Sequence, residues 1–299
     1  MNKNLPKVSV LMTVYNGGAY LEESIRSVIN QTFKNWELIL VDNCSTDNSK
    51  KIISKFKNAK IRKFFLKENI GRIKALRFAF SKARGQYIAI LDADDIAYKD
   101  RFSKQLKLLN KNKNIGLVAS YVQFIDGSGK VFKEFKPPHQ AHKLLAELSW
   151  TNPIIHSSMM YRNSLAKKIG GYLLSYQWGH DFALTLHIAR YSKICIIPEF
   201  LTKLRVIPTS MSKSSKYELR IAQETIKLFK LSMNLFKFKG SEKIKNSRAL
   251  SIARVKLGIA YFHKNYKTKG LLIILYEIIT KPSILFLNGP VRRFMGANY

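Results

Sequence analysis

Short apolar segments alternate with segments of helical periodicity through the first 95 residues of the chain. Each apolar segment has the length and the β-branched content of a buried strand, and they span residues 8–14, 36–41, 61–66 and 87–91. Helices are predicted between them, at residues 19–30, up to about residue 56, and at residues 71–83. Buried strands that alternate with helices form a parallel sheet covered on both faces. The sequence therefore predicts an α/β domain with a Rossmann-like, mainly parallel sheet.

The section that follows, up to about residue 206, has a mixed pattern. Strands are predicted at residues 116–124, 157–161 and 194–197, and helices at residues 137–150 and 182–191. This section is expected to complete the same domain, which we bound at residues 1–212.

Polar side chains follow three of the first four strands, at the point where each strand ends. They are Tyr15-Asn16, Asp42-Asn43 and the acidic run Asp92 to Asp95. Ligands of open α/β sheets bind beyond the carboxyl ends of the strands. We therefore expect these three groups to converge on one crevice.

The acidic run LDADD (residues 91–95) is the strongest chemical signal in the chain. Carboxylates crowded on one turn repel each other and are stable as anions only beside a cation. Oxygen ligands select a hard divalent ion, Mn²⁺ or Mg²⁺, which can hold a diphosphate and neutralise its charge as it leaves. A solvated acidic loop that caps the helix near Arg101 explains the same run equally well when the run is taken alone.

Three motifs in order resemble those of glycosyltransferase family 2. They are VSVLMTVYNGGAYLEESIRSVINQTFKNWELILVDNCSTDNS, then ENIG, then ARGQYIAILDADD. The resemblance is dense over residues 7–103 and continues more weakly to about residue 212 through NPIIHSSMMYR, IGGY and GHDFAL. It implies a GT-A fold, a nucleotide-diphosphate sugar donor, a divalent metal and inversion at the anomeric carbon in a single displacement.

The resemblance also implies roles for individual residues. Asp94 matches the carboxylate that binds the metal and the diphosphate, and Asp92 and Asp95 match neighbours that contact the ribose or the metal. Asp42 matches the carboxylate that accepts a hydrogen bond from the base edge, commonly uracil N3–H. Tyr15 would lie against the base. The expected nucleotide-sugar site comprises Thr13, Tyr15, Asp42, Asn43, Arg72, Asp92 and Asp94, and the expected metal ligands are Asp94 and Asp95.

Asp181 matches the catalytic base of the family. Inverting transfer requires a carboxylate that removes the proton of the acceptor hydroxyl as it attacks. Taken alone, Asp181 is more typical of a helix N-cap, but its position after the GGY segment and the upstream motifs favour the catalytic base. The residue before it is usually acidic in the family and is His180 here, and a positive His180 would lower the pKa of Asp181.

Other departures from the family pattern affect the nucleotide contacts. Asn43 stands where many relatives have a second Asp, Cys44 where they have Gly, and Arg77 where they often have Asn. Arg72 and Lys74 could reach donor phosphates, but a solvated helix face is the favoured interpretation of this pair. His156 and His180 are candidates for an acceptor or phosphate site, and a structural role for His156 is at least as well supported.

The region from residue 213 to residue 299 is predicted to be a separate helical unit, basic and amphipathic. It has 18 Lys and Arg against 4 Asp and Glu, and the whole chain has a net charge of +33. Part of this excess reflects a composition rich in Lys, Asn and Ile. Basic helices with an apolar face favour an anionic membrane surface, and a helical cap packed on the catalytic domain is the alternative. Residues 271–287 are apolar but interrupted by Glu277 and Lys281-Pro282, so a spanning helix is not expected.

Partners and location follow from these features. The acceptor is expected to be a saccharide or a lipid-linked saccharide of cell-envelope polysaccharide synthesis, such as lipopolysaccharide or capsule. Two cysteines and no visible signal peptide predict a cytoplasmic protein, peripheral on the inner face of the cell membrane. The charge also permits a nucleic-acid-binding protein, but no nucleic-acid motif is present and none is expected as a partner. A non-catalytic nucleotide-sugar-binding protein is the other alternative.

Overall fold

The computed structural model describes residues 5–207 and 217–281. They form two compact units, one of residues 5–144 and 153–207 and the other of residues 145–152 and 217–281. Of the basic region predicted at 213–299, residues 213–216 and 282–299 lie outside the described residues. Residues 145–152, which lie inside the predicted catalytic domain, belong to the second unit.

The first half of the larger unit is a parallel sheet, and the predicted parallel pairing is confirmed. Its strands pair in the order β3-β2-β1-β4, all parallel, with Val8 of β1 beside Trp36 of β2 and Tyr87 of β4. The strands are β1 (Val8–Val14), β2 (Trp36–Asp42), β3 (Ile61–Phe65) and β4 (Tyr87–Ile90), and the helices between them are α1 (Leu21–Ile29), α2 (Ser49–Lys55) and α3 (Arg72–Lys82).

The second half of this unit extends the sheet in mixed directions, in the order β4-β8-β6-β9-β5 with β7 paired to β6. β8 is antiparallel to both β4 and β6, whereas β6 and β9 are parallel. The strands are β5 (Ile96–Ala97), β6 (Ile115–Ile125), β7 (Val131–Phe135), β8 (Met160–Arg162) and β9 (Lys193–Arg205). The helices are α4 (Arg101–Lys111), α6 (Asn163–Lys168) and α7 (His180–Tyr191), with a 3₁₀ turn at His156–Ser158. Helix α5 (Ala141–Glu147) begins in this unit, and its residues from 145 onward belong to the second.

The apolar core explains why these segments form the sheet. Alternate residues of β1, among them Val10 and Met12, are fully buried in one cluster with Leu21 and Ile25 of α1. Side chains of a strand alternate between its faces, so a strand buried on both sides must be apolar throughout. Burial of each such side chain stabilises the fold by about 1.5–3 kcal/mol. The buried strands therefore hold in place the loops that follow their carboxyl ends.

The second unit consists of three helices: α8 (Glu218–Phe236), α9 (Gly240–His263) and α10 (Lys267–Thr280). Ser232 of α8 donates a 2.6 Å hydrogen bond to the carbonyl of Leu148, which joins residues 145–152 to this unit. A β-carbon added to Gly270 would lie 2.5 Å from the Gly258 carbonyl oxygen, so α9 and α10 touch through their backbones. In the part of the chain that the structure describes, no helix is both long and apolar enough to span a bilayer.

Candidate active site

The loops after β1 and β2 are tied together at the carboxyl edge of the sheet. The side-chain oxygen of Asn16 accepts a 2.8 Å hydrogen bond from the Thr46 N–H, and the Asn43 N–H donates to the Val14 carbonyl at 2.8 Å. Asn16 has a φ of 53°, in the left-handed region that asparagine tolerates better than most residues. The first two polar motifs therefore converge, as the strand order requires.

A buried carboxylate and an exposed aromatic ring line this part of the crevice. Asp42 ends β2, is buried, and accepts weak hydrogen bonds from the Ser45 N–H at 3.3 Å to each oxygen. Tyr15 follows β1 and its side chain is 52% exposed, while Thr13 is partly buried in the same strand. A ring with a free face and a carboxylate acceptor beside it suit the face and the edge of a nucleobase.

The side-chain amide of Asn43 forms hydrogen bonds within the protein. Its Nδ2 donates to Asn69 Oδ1 at 2.8 Å, and its Oδ1 accepts from the Ile70 N–H at 3.1 Å, so it fastens the loop before α3. The next residue, Cys44, has a φ of 63°, a conformation in which glycine carries no steric cost. This explains why glycine is the usual residue at that position of the family pattern.

Arg72 turns into the crevice, so the interpretation as a solvated face is corrected for Arg72 but not for Lys74. Its guanidinium donates to Asp92 Oδ2 at 2.7 Å, whereas Lys74 is exposed. Asp92 raises the pKa of Arg72, against the effect of burial. Burial alone would raise the pKa of Asp92, but Arg72 and the nearby His156 hold it well below its usual range. Asp92 is therefore ionised and already paired with a cation.

The two remaining carboxylates of the acidic run have different surroundings. Asp94 is half-buried, and burial together with the charge of Asp92 raises its pKa to about 6. Asp95 is buried, and its Oδ1 accepts a 2.8 Å hydrogen bond from the Arg205 N–H. Burial, Asp94 and Asp92 raise the pKa of Asp95 well above its usual range. Asp95 thus faces the protein interior, which differs from its expected role as a metal ligand.

Two buried arginines, which the sequence analysis did not single out, hold the acidic run in position. Arg205, the last residue of β9, donates through Nε to the Asp94 carbonyl at 3.1 Å and through its Nη2 to Glu23 at 2.6 Å. Arg101 donates 2.9 Å hydrogen bonds to the carbonyls of Ile90 and Met159. The partners of Arg205 are distant in sequence, and Arg101 bonds to two backbone carbonyls, so the sequence pattern does not identify either residue.

A buried group of rings lies behind Asp92. His156 Nε2 is 2.8 Å from the hydroxyl of Tyr172, and His156 Nδ1 is 3.7 Å from Asp92 Oδ1. The rings of His156 and His180 are in edge contact, with centroids 4.9 Å apart. Within residues 5–207 and 217–281, His156 Nδ1 and His180 Nε2 have no hydrogen-bond partner. Buried ring nitrogens without partners are candidates to bind a ligand.

Asp181 is the second residue of α7, two positions after Gly179, the residue at the N-cap. Burial raises the pKa of Asp181, against the effects of His156 and Arg72, whose charges act on it. Burial, Arg72 and His156 lower the pKa of His180 well below its usual range, so His180 is neutral. The condition under which His180 would lower the pKa of Asp181, a positive charge on His180, is therefore not met.

The carboxylates fit a metal that arrives together with a diphosphate. Among the described residues, no group of three His, Cys, Asp or Glu side chains could hold an ion by itself. No other side chain in the described residues donates a hydrogen bond to the Asp94 carboxylate, so its oxygens are available to a cation. Mg²⁺ in nucleotide sites is commonly held by one or two carboxylates with substrate phosphates and water as the other ligands.

Comparison with known sequences identifies relatives of this chain. The sequence pattern of the family described as Glycosyl transferase family 2 matches residues 9–170. An uncharacterised glycosyltransferase of Methanocaldococcus jannaschii is 40% identical over 207 residues, covering 67% of this chain and 71% of the relative. The matched residues include the acidic run, Arg72 and the loops after β1 and β2.

Comparison with solved structures identifies the fold. Residues 1–349 of TarS from S. aureus, in complex with UDP-GlcNAc, superpose with a TM-score of 0.59 at 18% identity, covering 85% of this chain and 81% of that TarS fragment. The mannosyltransferase PcManGT of Pyrobaculum calidifontis, in complex with GDP-Man and Mn²⁺, superposes with a TM-score of 0.61 at 18% identity, covering 99% of this chain and 84% of PcManGT. The predicted GT-A fold is confirmed.

Proposed function

This chain belongs to glycosyl transferase family 2, and on that premise we propose that it moves a sugar from a nucleotide-diphosphate sugar to an acceptor hydroxyl with inversion of configuration. The observation that carries this proposal is the grouping of Arg72, Asp92, Asp94 and Asp181 at the carboxyl edge of one sheet, close enough for their charges to interact. Such a group can bind an anionic leaving group and supply a base beside it.

The donor is proposed to be a UDP-sugar. Asp42 offers only acceptor oxygens, and uracil N3–H is a donor, so the pair is complementary. Tyr15 has a free face on which a base can stack, with Thr13 beside it in β1. TarS was solved with UDP-GlcNAc and PcManGT with GDP-Man, so the fold accepts more than one base. In this chain Asn43 is proposed to support the nucleotide site indirectly, by holding the loop before α3 in place.

The diphosphate is proposed to lie between Arg72 and Asp94. Arg72 can donate to phosphate oxygens while it remains near Asp92, and Asp94 is proposed to hold a divalent ion, Mn²⁺ or Mg²⁺. Such an ion neutralises charge on the departing diphosphate. Asp95, which bonds to Arg205, is proposed to position the loop that presents Asp94.

Asp181 is proposed to be the general base. It is desolvated, and its raised pKa makes it a stronger base than an exposed aspartate. The neutral His180 beside it neither attracts nor repels its charge, and the open nitrogens of His180 and His156 are proposed to contact acceptor hydroxyls or a phosphate oxygen. The proton of the acceptor hydroxyl moves to Asp181 as the hydroxyl oxygen attacks.

The acceptor is proposed to be a saccharide or lipid-linked saccharide of cell-envelope polysaccharide synthesis, used at an anionic membrane surface on the cytoplasmic side. The net charge of +33 supports a partner of this kind, because a strongly basic protein concentrates at anionic surfaces.

Turnover with a panel of nucleotide sugars tests this function. Purified protein is incubated with Mn²⁺, each donor and a panel of saccharide acceptors, and the anomeric configuration of any product is determined by NMR. Transfer from a UDP-sugar with inversion supports the proposal. Retention of configuration, or nucleotide-sugar binding without turnover for every acceptor, would replace it with a different mechanism or with a binding role.

A further inference from the structure

Helix α10 has two apolar sides, and within residues 217–281 only one of them packs against protein. Its inner side packs on α9: Gly270 and Ile274 are buried against it, and the buried Glu277 accepts a 2.8 Å hydrogen bond from Arg254. Its outer side carries five large apolar residues with exposed fractions from 43% to 76%: Leu271, Leu272, Leu275, Tyr276 and Ile279. We call these five residues the outer face of α10.

The outer face is continuous. At 3.6 residues per turn, its five residues fall within an arc of about 140° on the side opposite Ile274 and Glu277. Thr268, also exposed, lies within the same arc. Single exposed apolar residues are ordinary on protein surfaces, but a contiguous group of this size marks an interaction site.

Positive charge lies at one end of this face. Lys264, just after α9, and Lys267 and Lys269, in the first turn of α10, are all exposed, and Tyr266 between them is 62% exposed. The acidic residue of α10, Glu277, is buried and paired with Arg254, so it adds no negative charge to the surface. Residues 217–281 contain 14 Lys and Arg against 4 Asp and Glu. The surroundings of the face therefore attract anions.

We propose that the outer face of α10 inserts into the headgroup region of an anionic lipid bilayer, with the helix lying parallel to the surface. Leucine and isoleucine side chains would enter the acyl boundary, tyrosine would lie at the headgroup level, and the lysines would contact lipid phosphates. The helix has 14 residues and is about 21 Å long, shorter than the hydrocarbon core of about 30 Å. It can therefore lie in the interface but cannot span the bilayer.

Charge favours lipid over a second copy of the chain. Two copies that met through this face would bring together proteins that each carry a net charge of +33. Like charges oppose that association, whereas anionic lipid is drawn to the lysines at the end of the face. The inference rests on the proposed function, because a lipid-linked acceptor is what makes attachment to the surface useful to a glycosyltransferase.

Vesicle sedimentation of the full chain tests this inference. Vesicles of phosphatidylcholine, with and without phosphatidylglycerol, are compared for wild type and for the double variant Leu272→Glu/Ile279→Glu. The expected result is binding to the anionic vesicles that falls at least about tenfold in the double variant, because the two most exposed aliphatic anchors are lost. The matched control is Ile244→Glu on α9, where the native side chain is 55% exposed, and it should bind nearly as well as wild type.

A second variant tests the role of the lysines. Replacing Lys264, Lys267 and Lys269 by Gln should weaken binding to anionic vesicles by roughly fivefold per lysine, with little effect on the weak binding to neutral vesicles. Binding that is equal for both vesicle types, or equal loss in Ile244→Glu and in the double variant, would overturn the inference.

Two further measurements test whether something other than lipid covers this face: a second copy of the chain, or another part of the same protein. A concentration-dependent dimer of wild type that Leu272→Glu/Ile279→Glu abolishes would assign the face to a second copy. A melting temperature several degrees lower in the double variant, without lipid, would show that the face is covered within the protein. Either result overturns the lipid inference. UDP-dependent stabilisation is measured on the same samples: if it is absent while vesicle binding persists, the donor proposal fails and the lipid inference stands.

Discussion

The guanidinium of Arg72, at the start of α3, lies 2.7 Å from the carboxylate of Asp92, in the loop after β4. The pair joins two loops of the crevice that are 20 residues apart in sequence. It keeps Asp92 ionised beside Asp94, and it holds a cation where a diphosphate is proposed to bind. Loss of Arg72 therefore removes both a phosphate donor and the partner of Asp92.

Arg72→Ala is expected to weaken UDP binding by about tenfold to hundredfold, because a charge-assisted hydrogen bond contributes roughly 1.5–3 kcal/mol. Titration calorimetry with UDP and Mn²⁺ measures this. The matched control is Lys74→Ala, on the exposed side of the same helix, which should leave the affinity within about twofold of wild type. An equal loss of UDP affinity in both variants would mean that Arg72 acts only through the net positive charge of the protein and not through a direct contact with UDP.

Asp42→Asn is expected to weaken UDP binding by about tenfold, since the carboxylate no longer accepts a hydrogen bond from uracil N3–H. It should also narrow the preference for UDP over CDP, because an asparagine amide can donate to cytosine N3. Competition titrations with the two nucleotides check both effects. Glu68→Gln removes the same charge from the exposed loop before α3 and serves as control. An unchanged ratio of UDP affinity to CDP affinity in Asp42→Asn would show that Asp42 does not recognise the base.

Asp181→Asn is expected to lower kcat by about 100-fold to 10,000-fold while UDP affinity stays unchanged, as loss of a general base requires. The wild-type rate should fall as the pH is lowered and Asp181 takes up its proton. Because burial raises the pKa of Asp181, this fall should be centred above the usual range of aspartate. Asp100→Asn, at the start of α4, is the control. A wild-type kcat in Asp181→Asn would show that Asp181 is not the general base.

The same substitution is expected to stabilise the protein at neutral and alkaline pH. The pKa of Asp181 is higher in the folded than in the unfolded protein, so its stabilising contribution is present at low pH and is lost as the pH rises through the folded pKa. Asp181→Asn, which cannot ionise, should therefore melt above wild type at about pH 8, and the difference should shrink as the pH is lowered. A difference that is constant with pH would contradict the raised pKa.

The parallel half of the sheet was predictable because each strand carries its own signal. Val8–Val14 is continuously apolar and ends at a turn, and the structure has the same strand bounds. β9 is longer than the predicted segment 194–197, since pairing with β6 continues as far as Arg205. β7 was not predicted, because four of its five residues are exposed and give no apolar pattern.

The candidate site was predictable in its carboxylates and less so in their partners. Asp92 and Asp94 follow a buried strand, so their location could be inferred from the sequence. That Asp95 points inward could not, because its partner Arg205 lies 110 residues away. The state of His180 likewise depends on burial among Arg72 and His156, which the fold alone brings together.

The melting temperature of the protein with UDP, with and without Mn²⁺, tests the central claim most directly in wild type and in Asp94→Ala. A ligand at about 100 times its Kd stabilises the folded state by about 2.7 kcal/mol, which raises the melting temperature of a domain of this size by roughly 5–10 °C. We predict that increase for wild type with UDP and Mn²⁺ together, a much smaller one with UDP alone, and no effect of Mn²⁺ in Asp94→Ala. The control Asp100→Ala should respond as wild type does. If no nucleoside diphosphate changes the melting temperature, or if Asp94→Ala responds to UDP and Mn²⁺ as wild type does, a metal-assisted nucleotide-sugar site at the carboxyl edge of the sheet is contradicted.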